Sequence, residues 1–219
     1  MESLKLFIDW YQTISSVSAL KSGLKVLGKE KIYQDVNNLY KRGDIDAKQR
    51  IAGIFKGWEG LPVSCLDDIY NSLKGGFFPD AENFLRNKDI RNVELVKIIN
   101  SNMPRRLQKG FQREYGLYYI TGPVLEVKGG YLTGVMLEAP KNKREVVETM
   151  INEEGWEKIE CVIIGNNKQD FEARDLVGWL VGFNAPKEFE KDLYMNVPHW
   201  NRMSHIIERI IEEVLTQKS

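Results

Sequence analysis

Apolar residues gather into short runs that stop abruptly on small or polar residues: LKLFID (4–9), ELVKIIN (94–100), LYYITG (117–122), CVIIGN (161–166) and WLVGFN (179–184). These runs are rich in β-branched and aromatic residues and do not alternate cleanly with polar ones, which suits strands buried on both faces. Between most of them apolar residues recur at helical spacing. PRRLQKGFQREYG (104–116) and KREVVETMINEEG (143–155) are two such stretches, and each closes on a glycine in the manner of a helix C-cap. Strand and helix in alternation predict an α/β fold, a doubly wound parallel sheet. On such sheets ligands gather at the carboxyl ends of the strands, where Asp9, Ser101 and the GNNKQD loop (165–170) fall.

Residues 14 to about 80 interrupt that rhythm. They hold no convincing strand, whereas SALKSGLKVLG, IYQDVNNLYKRG and DAKQRIAGIFKGW read as short amphipathic helices. The expected organisation is a core of residues 1–13 and 81–219 with a helical cap, 14–80, inserted after the first strand. The insertion leaves through KGGFFPDAENFLRN, whose glycines and proline mark a turn or hinge. VLEVKGGYLTGVM (124–136) alternates on either side of Gly129 and Gly130, a good hairpin signal. RMSHIIERIIEEVL (202–215) reads as a final amphipathic helix for the sheet or for a second subunit, so a homodimer is one arrangement the chain allows. His199 and His205, six apart, fall on different faces of a helix and make a poor metal pair. Trp58, Phe77 and Phe78 are read as core and hinge packing.

The 219 residues suffice for a sizeable core, and 31 basic residues balance 31 acidic ones. That balance leaves no overall basic field and disfavours a dedicated nucleic-acid role. Cys65 and Cys161 are expected to be structural thiols in a reducing compartment. No apolar run approaches the roughly 18 to 20 residues that span a bilayer, so a soluble cytoplasmic protein is expected.

Polar residues at the predicted strand ends come in a distinctive order: Asp9 and Thr13 in DWYQT, Ser101 in INSNM, Lys143 in KNKREVV and Asp170 in GNNKQD. This order and spacing resemble the four motifs of the haloacid dehalogenase superfamily. Similarity extends to LEVKGGYLTG, KREVV and VIIGNNKQDFEARDLVGWLVGFNAPK, and is closest to the phosphoserine phosphatase group. The resemblance implies that Asp9 attacks a phosphoryl group to give an aspartyl phosphate, which water hydrolyses. It implies that Thr13 hydrogen-bonds near the nucleophile and that Ser101 and Lys143 hold the phosphoryl oxygens. Lys141 competes with Lys143 for that role, and the family's helix start favours Lys143. Magnesium would be held by Asp9, the backbone carbonyl of Tyr11 and Asn166, with Asp170 orienting metal-bound water or the lysine.

Two positions depart from the family pattern. Tyr11 stands where a second aspartate protonates the leaving group and later activates water. A phenol with a pKa of about 10 is a poor base at neutral pH, and losing a general acid costs roughly 10² to 10⁴ in rate. Asn166 replaces a carboxylate ligand with an amide, which lowers the expected magnesium affinity. Recognition of an amino-acid substrate also fails to carry over. ISSVSALKSG lacks the group's glutamate, and the cap arginine has no match in KQRIAGIF, although Lys48 and Arg50 lie close by. Phosphoserine is therefore disfavoured as substrate. Lys168 is read as solvated and is given no role.

The leading expectation is a magnesium-dependent phosphatase-like hydrolase of weak or specialised activity on a small phosphorylated molecule. The alternative is a catalytically impaired relative that binds a phosphorylated small molecule or a protein partner, and a purely structural protein stands third. Taken singly, Asp9 and Ser101 could be ordinary helix caps and Lys143 a solvated lysine.

Overall fold

The computed structural model describes residues 3–218. Its first strand, β1 (Ser3–Ile8), alternates its side chains between two cores. Leu4, Leu6 and Ile8 enter the larger one, while Phe7 enters the smaller one on the opposite face. Four helices follow directly: α1 (Ala19–Val26), α2 (Glu30–Arg42), α3 (Ala47–Gly57) and α4 (Cys65–Gly75). Ser18 caps α1 through its side chain, and Asp46 and Gln49 form a reciprocal capping box on α3. Helix α4 was not among the three stretches read as helical. Its Leu66, Ile69 and Leu73 nevertheless recur at helical spacing and are buried. Trp58 is fully buried, and its indole N–H donates to the Leu20 carbonyl.

After α5 (Ala81–Arg86) the sheet resumes with β2 (Asp89–Ile90) and β3 (Val93–Ile99). Helix α6 (Arg105–Tyr115), β4 (Tyr119–Ile120) and the hairpin of β5 (Val124–Lys128) and β6 (Tyr131–Glu138) come next. The chain ends with α7 (Lys143–Glu154), β7 (Cys161–Gly165), α8 (Lys168–Phe171), β8 (Trp179–Phe183), β9 (Met195–Val197) and α9 (Met203–Gln217). Among the described residues seven strands form one sheet in the order β2-β3-β1-β7-β8-β9, with β4 also on β3. Strand β1 is parallel to both neighbours, with Ile8 level with Ile99 on one side and Ile164 on the other. The carboxyl ends of three strands thus meet at one point. The molecule is a doubly wound α/β fold with an inserted helical cap.

The sheet departs from the expected five parallel strands in three ways. Strand β2 is antiparallel to β3. The run 117–122 yields only a two-residue strand, because the Thr121 N–H donates to the Gln108 side chain instead of continuing the ladder. Strand β9 adds a further parallel member, and its Asn196 side chain bonds both the N–H and the carbonyl of Ala185.

Gly129 and Gly130 both take positive φ (56° and 83°), which closes the hairpin as its sequence anticipates. The hairpin then pairs with the segment between α3 and α4 of the helical insertion. Gly60 donates to the Leu132 carbonyl, Leu132 to Leu61 and Val63 to Gly130, each at 2.9 Å. Helix α9 buries Ile206, Ile207, Ile210 and Ile211 in the larger core, so its apolar stripe is spent on this chain. Helix α7 supplies Val146, Val147 and Met150 to the smaller core. Among the described residues no helix is long and apolar enough to cross a membrane.

Candidate active site

Asp9 follows β1, its N–H held by the Ile164 carbonyl at 2.9 Å. The chain then turns back on itself, with the N–H groups of Thr13, Ile14 and Ser15 all directed at the Trp10 carbonyl. This turn brings the Thr13 hydroxyl to Asp9 Oδ2, to which it donates at 3.2 Å. The Trp200 indole N–H fixes the Thr13 carbonyl at 2.6 Å. Asp9 caps no helix, since α1 begins ten residues on and uses Ser18.

Lys143 opens α7 and points its ammonium between two carboxylates. It donates to Asp9 Oδ1 at 2.5 Å and also to Asp170 Oδ1. Asp170 Oδ2 accepts the backbone N–H groups of Asn166 (2.8 Å) and Asn167 (3.0 Å), so this carboxylate shapes the loop and aims the lysine at once. Gly165 permits the fit, because a Cβ there would lie 2.4 Å from the Cβ of Asp170. Lys141 instead lies outside, near the Thr149 hydroxyl at 3.5 Å. Lys143 is the lysine that reaches Asp9.

Ser101 lies beyond the end of β3, where its N–H donates to the Thr121 hydroxyl at 3.1 Å. Its hydroxyl accepts from the Met103 N–H at 3.2 Å. That bond forms a local turn and not a cap, since α6 begins only at Arg105. Asn100, not singled out in the sequence, donates through its side chain to the Lys143 carbonyl at 2.9 Å and ties the second motif to the third. Its signal was a polar residue directly before Ser101 at the end of an apolar run.

Burial governs the electrostatics. Asp9 and Asp170 are 7% and 4% exposed. Burial, reinforced by the Asp170 charge, raises the pKa of Asp9 to about 6 against the opposing pull of Lys143. Burial alone would lower the Lys143 pKa, but the Asp170 and Asp9 carboxylates outweigh it and hold the ammonium firmly protonated.

A cavity of about 170 Å³ opens over this cluster. Asp9, Tyr11, Ser101 and Lys143 line it from below, and Ser18, Tyr33 and Arg50 line it from the helical insertion. No arginine stands at the position the resemblance aligns, but nearby Arg50 lines the cavity. Arg50 projects into the cavity, its Nε donating to Asn37 Oδ1 at 2.6 Å and its guanidinium 5.5 Å from the Tyr40 ring centre. Gln169, from the Asp170 loop, donates to the Tyr40 hydroxyl at 3.3 Å and links that loop to α2. Sequence spacing showed Arg50 to be nearby, but only packing against Asn37 and Tyr40 directs it inward.

The expected magnesium ligands do not form a cation site. Asn166 Nδ2 donates to the Tyr11 carbonyl at 3.1 Å, and Asn166 Oδ1 accepts from Asn167 Nδ2 at 2.8 Å. The amide thus presents an N–H, not an oxygen, to the carbonyl that would share the metal, while Asp9 and Asp170 share an ammonium. Among the described residues no group of three His, Cys, Asp or Glu side chains is clustered to hold a metal. The donor set, one carboxylate at Asp9 with the Tyr11 carbonyl and an amide, carries less charge than a second carboxylate would give and fits magnesium poorly. The Tyr11 side chain is 42% exposed at the cavity mouth, and Lys168 is exposed as expected.

No family model matches the chain. A phosphoserine phosphatase from Archaeoglobus fulgidus is 28% identical over 157 residues, which are 69% of this chain and 44% of that protein. The chain thus spans less than half the length of this curated relative. A phosphoserine phosphatase solved as a phospho-aspartyl intermediate analogue superposes with a TM-score of 0.74 at 18% identity, covering 90% of this chain and 94% of the other. A HAD family hydrolase from Salmonella enterica serovar Typhi gives 0.80 at 13% identity, covering 91% and 69%. A substrate-bound phosphoserine phosphatase gives 0.75 at 17% identity, covering 90% and 93%. The fold is that of the haloacid dehalogenase superfamily, and the likeness to its phosphoserine phosphatase group holds in both sequence and structure.

Proposed function

We propose that the protein is a phosphatase-like hydrolase of the haloacid dehalogenase type, acting on a small phosphate ester through an aspartyl phosphate at Asp9. The observation that carries this is the convergence of Asp9, Thr13, Lys143 and Asp170 in one hydrogen-bonded cluster beneath a cavity that Ser101 also lines. An Asp9 carboxylate oxygen bonds to phosphorus as the ester oxygen departs, and water later cleaves the acyl phosphate to release phosphate. Thr13 orients the nucleophile. Lys143 and Ser101 face the phosphoryl oxygens, over which charge spreads in the transition state. Asp170 positions Lys143. Tyr11 offers the departing oxygen a hydroxyl instead of a carboxylic acid, so activated esters are favoured.

Magnesium, which the resemblance implies, would meet one carboxylate at Asp9 and an amide at Asn166. Its binding is weak in this proposal, and no step runs through it. Arg50 supports a substrate with a second anionic group, and among the described residues no acidic side chain lines the helical side of the cavity, which disfavours an amine. The phosphoserine phosphatases of similar fold therefore inform the reaction more than the substrate.

A second reading, a binding protein for a phosphorylated small molecule, is favoured by the Asn166 bond to the Tyr11 carbonyl. Turnover of p-nitrophenyl phosphate separates the two. The hydrolase requires measurable release of nitrophenol that Asp9→Asn abolishes. An unaffected Asp9→Asn rate refutes the role of Asp9, and no turnover by the wild type leaves the binding protein.

A further inference from the structure

A groove of about 560 Å³ runs between α6 and β5 and shares none of its lining residues with the Asp9 cavity. Its apolar lining comes from Leu66, Pro123, Val124, Leu125, Val127 and Leu132. Its opposite wall carries Arg106, Lys109 and Arg113, spaced three and four apart so that they form one stripe along α6. All three are exposed and make no ion pair among the described residues, whereas Arg105 beside them is tied to Glu138 at 2.7 Å. Among the described residues no acidic side chain lines the groove.

The floor strand is also incomplete. β5 pairs with β6 on one side, and among the described residues its other edge carries no backbone hydrogen bond over 124–128. An unpaired strand edge is a template for another strand. The same hairpin holds four large apolar residues more than 40% exposed: Val127, Tyr131, Val135 and Leu137. Each feature alone is ordinary. Together they supply main-chain donors and acceptors, an apolar floor and three cations that make no ion pair among the described residues.

We propose that this groove docks an acidic, extended peptide segment of a partner protein, added as a strand to β5. Main-chain bonds to β5 give affinity, and the two-residue alternation of the incoming strand sorts its side chains. Apolar ones settle on Leu125 and Leu132, while carboxylates meet Arg106, Lys109 and Arg113. A single-stranded nucleic acid suits the cations but not the floor, since among the described residues no aromatic ring lines the groove for bases to stack on. This surface does not depend on the chemistry at Asp9.

The test uses the full chain and a fluorescently labelled nine-residue peptide of alternating valine and glutamate. Its valine–lysine counterpart and an oligothymidylate serve as controls. Fluorescence anisotropy is expected to show the glutamate peptide binding at least tenfold more tightly than either control, and weakening as salt rises. The triple variant Arg106→Glu, Lys109→Glu, Arg113→Glu should lose at least tenfold, and the milder Lys109→Glu a smaller part of it. Hydrogen exchange at the amides of 124–128 should slow when the peptide binds. Equal binding of the two peptides, tighter binding of the oligothymidylate, full affinity in both variants, unchanged exchange in β5, or a self-associated chain that excludes the peptide would each overturn the proposal.

Discussion

At Asn166 a side-chain N–H stands on the Tyr11 carbonyl, where the resemblance implies a carboxylate and a cation between them. Restoring the carboxylate removes that donor and sets two oxygens face to face, an arrangement that a divalent cation relieves. Asn166→Asp should therefore bind magnesium at least tenfold more tightly than the wild type, about 1.4 kcal/mol, by calorimetric titration; equal or weaker binding would remove Asn166 from the cation's neighbourhood. Tyr11 limits the leaving group in the same way. Tyr11→Asp should speed alkyl phosphate hydrolysis by up to roughly 10² while aryl phosphates gain far less, as read from kcat for a matched pair of esters. Asp9 sets the pH dependence. Its pKa is raised to about 6 by burial, so the carboxyl is protonated and inert below that pH, and aryl phosphate turnover should rise through pH 6 to a plateau. A profile flat from pH 5 to 8, corrected for ionisation of the ester, would contradict it. Asp9 and Asn166 were legible as polar residues closing apolar runs, and the roles given to Asn166 and Tyr11 came from the resemblance of GNNKQD and DWYQT to the family's motifs. Arg50 was not legible, because its direction comes from Asn37 and Tyr40, partners in α2 that spacing alone does not identify.

Between elements, one link from the helical insertion to the sheet layer is Glu114 of α6. It accepts from Lys74 at 2.5 Å, from the Tyr70 hydroxyl, and from Arg86 at 3.2 Å, which joins α4 and α5 to α6. Lys74 and Tyr70 together hold its pKa down at about 2. A depressed carboxylate stabilises the fold fully above its unfolded pKa of 4.5, and that contribution fades as pH falls towards 2. Glu114→Gln should lose about 1–2 kcal/mol at neutral pH, allowing for partial solvent screening. Its stability should also fall less than the wild type's between pH 4.5 and 2, as measured by urea unfolding; parallel curves would deny the network. Strands β1, β3, β7 and β8 were legible as apolar runs closed by polar residues. β9 was not, since Met195-Asn196-Val197 carries no pattern and depends on pairing with β8 and on the Asn196 bonds to Ala185. β4 was overread because Gln108, thirteen residues away, takes the N–H its ladder needs.

Across the whole molecule, the helical insertion and the sheet share one cavity, with Asp9 and Lys143 below, Arg50 above and Gln169 bonded to Tyr40 between them. The inserted position of the helices and their place over the carboxyl edge could be read from the break in strand and helix alternation, but which of their side chains face Asp9 could not, since that follows from tertiary packing. The hydrolase proposed for this cavity depends on Asp9 being phosphorylated, and slow water activation beside Tyr11 favours accumulation of that adduct. The decisive measurement is mass spectrometry of the intact chain and its peptides after incubation with an acyl or aryl phosphate. One hydroxylamine-labile phosphoryl group on the peptide containing Asp9, absent from Asp9→Asn, is the expected result. Hydrolysis of the ester without any adduct at Asp9, and at the same rate in Asp9→Asn, would contradict it.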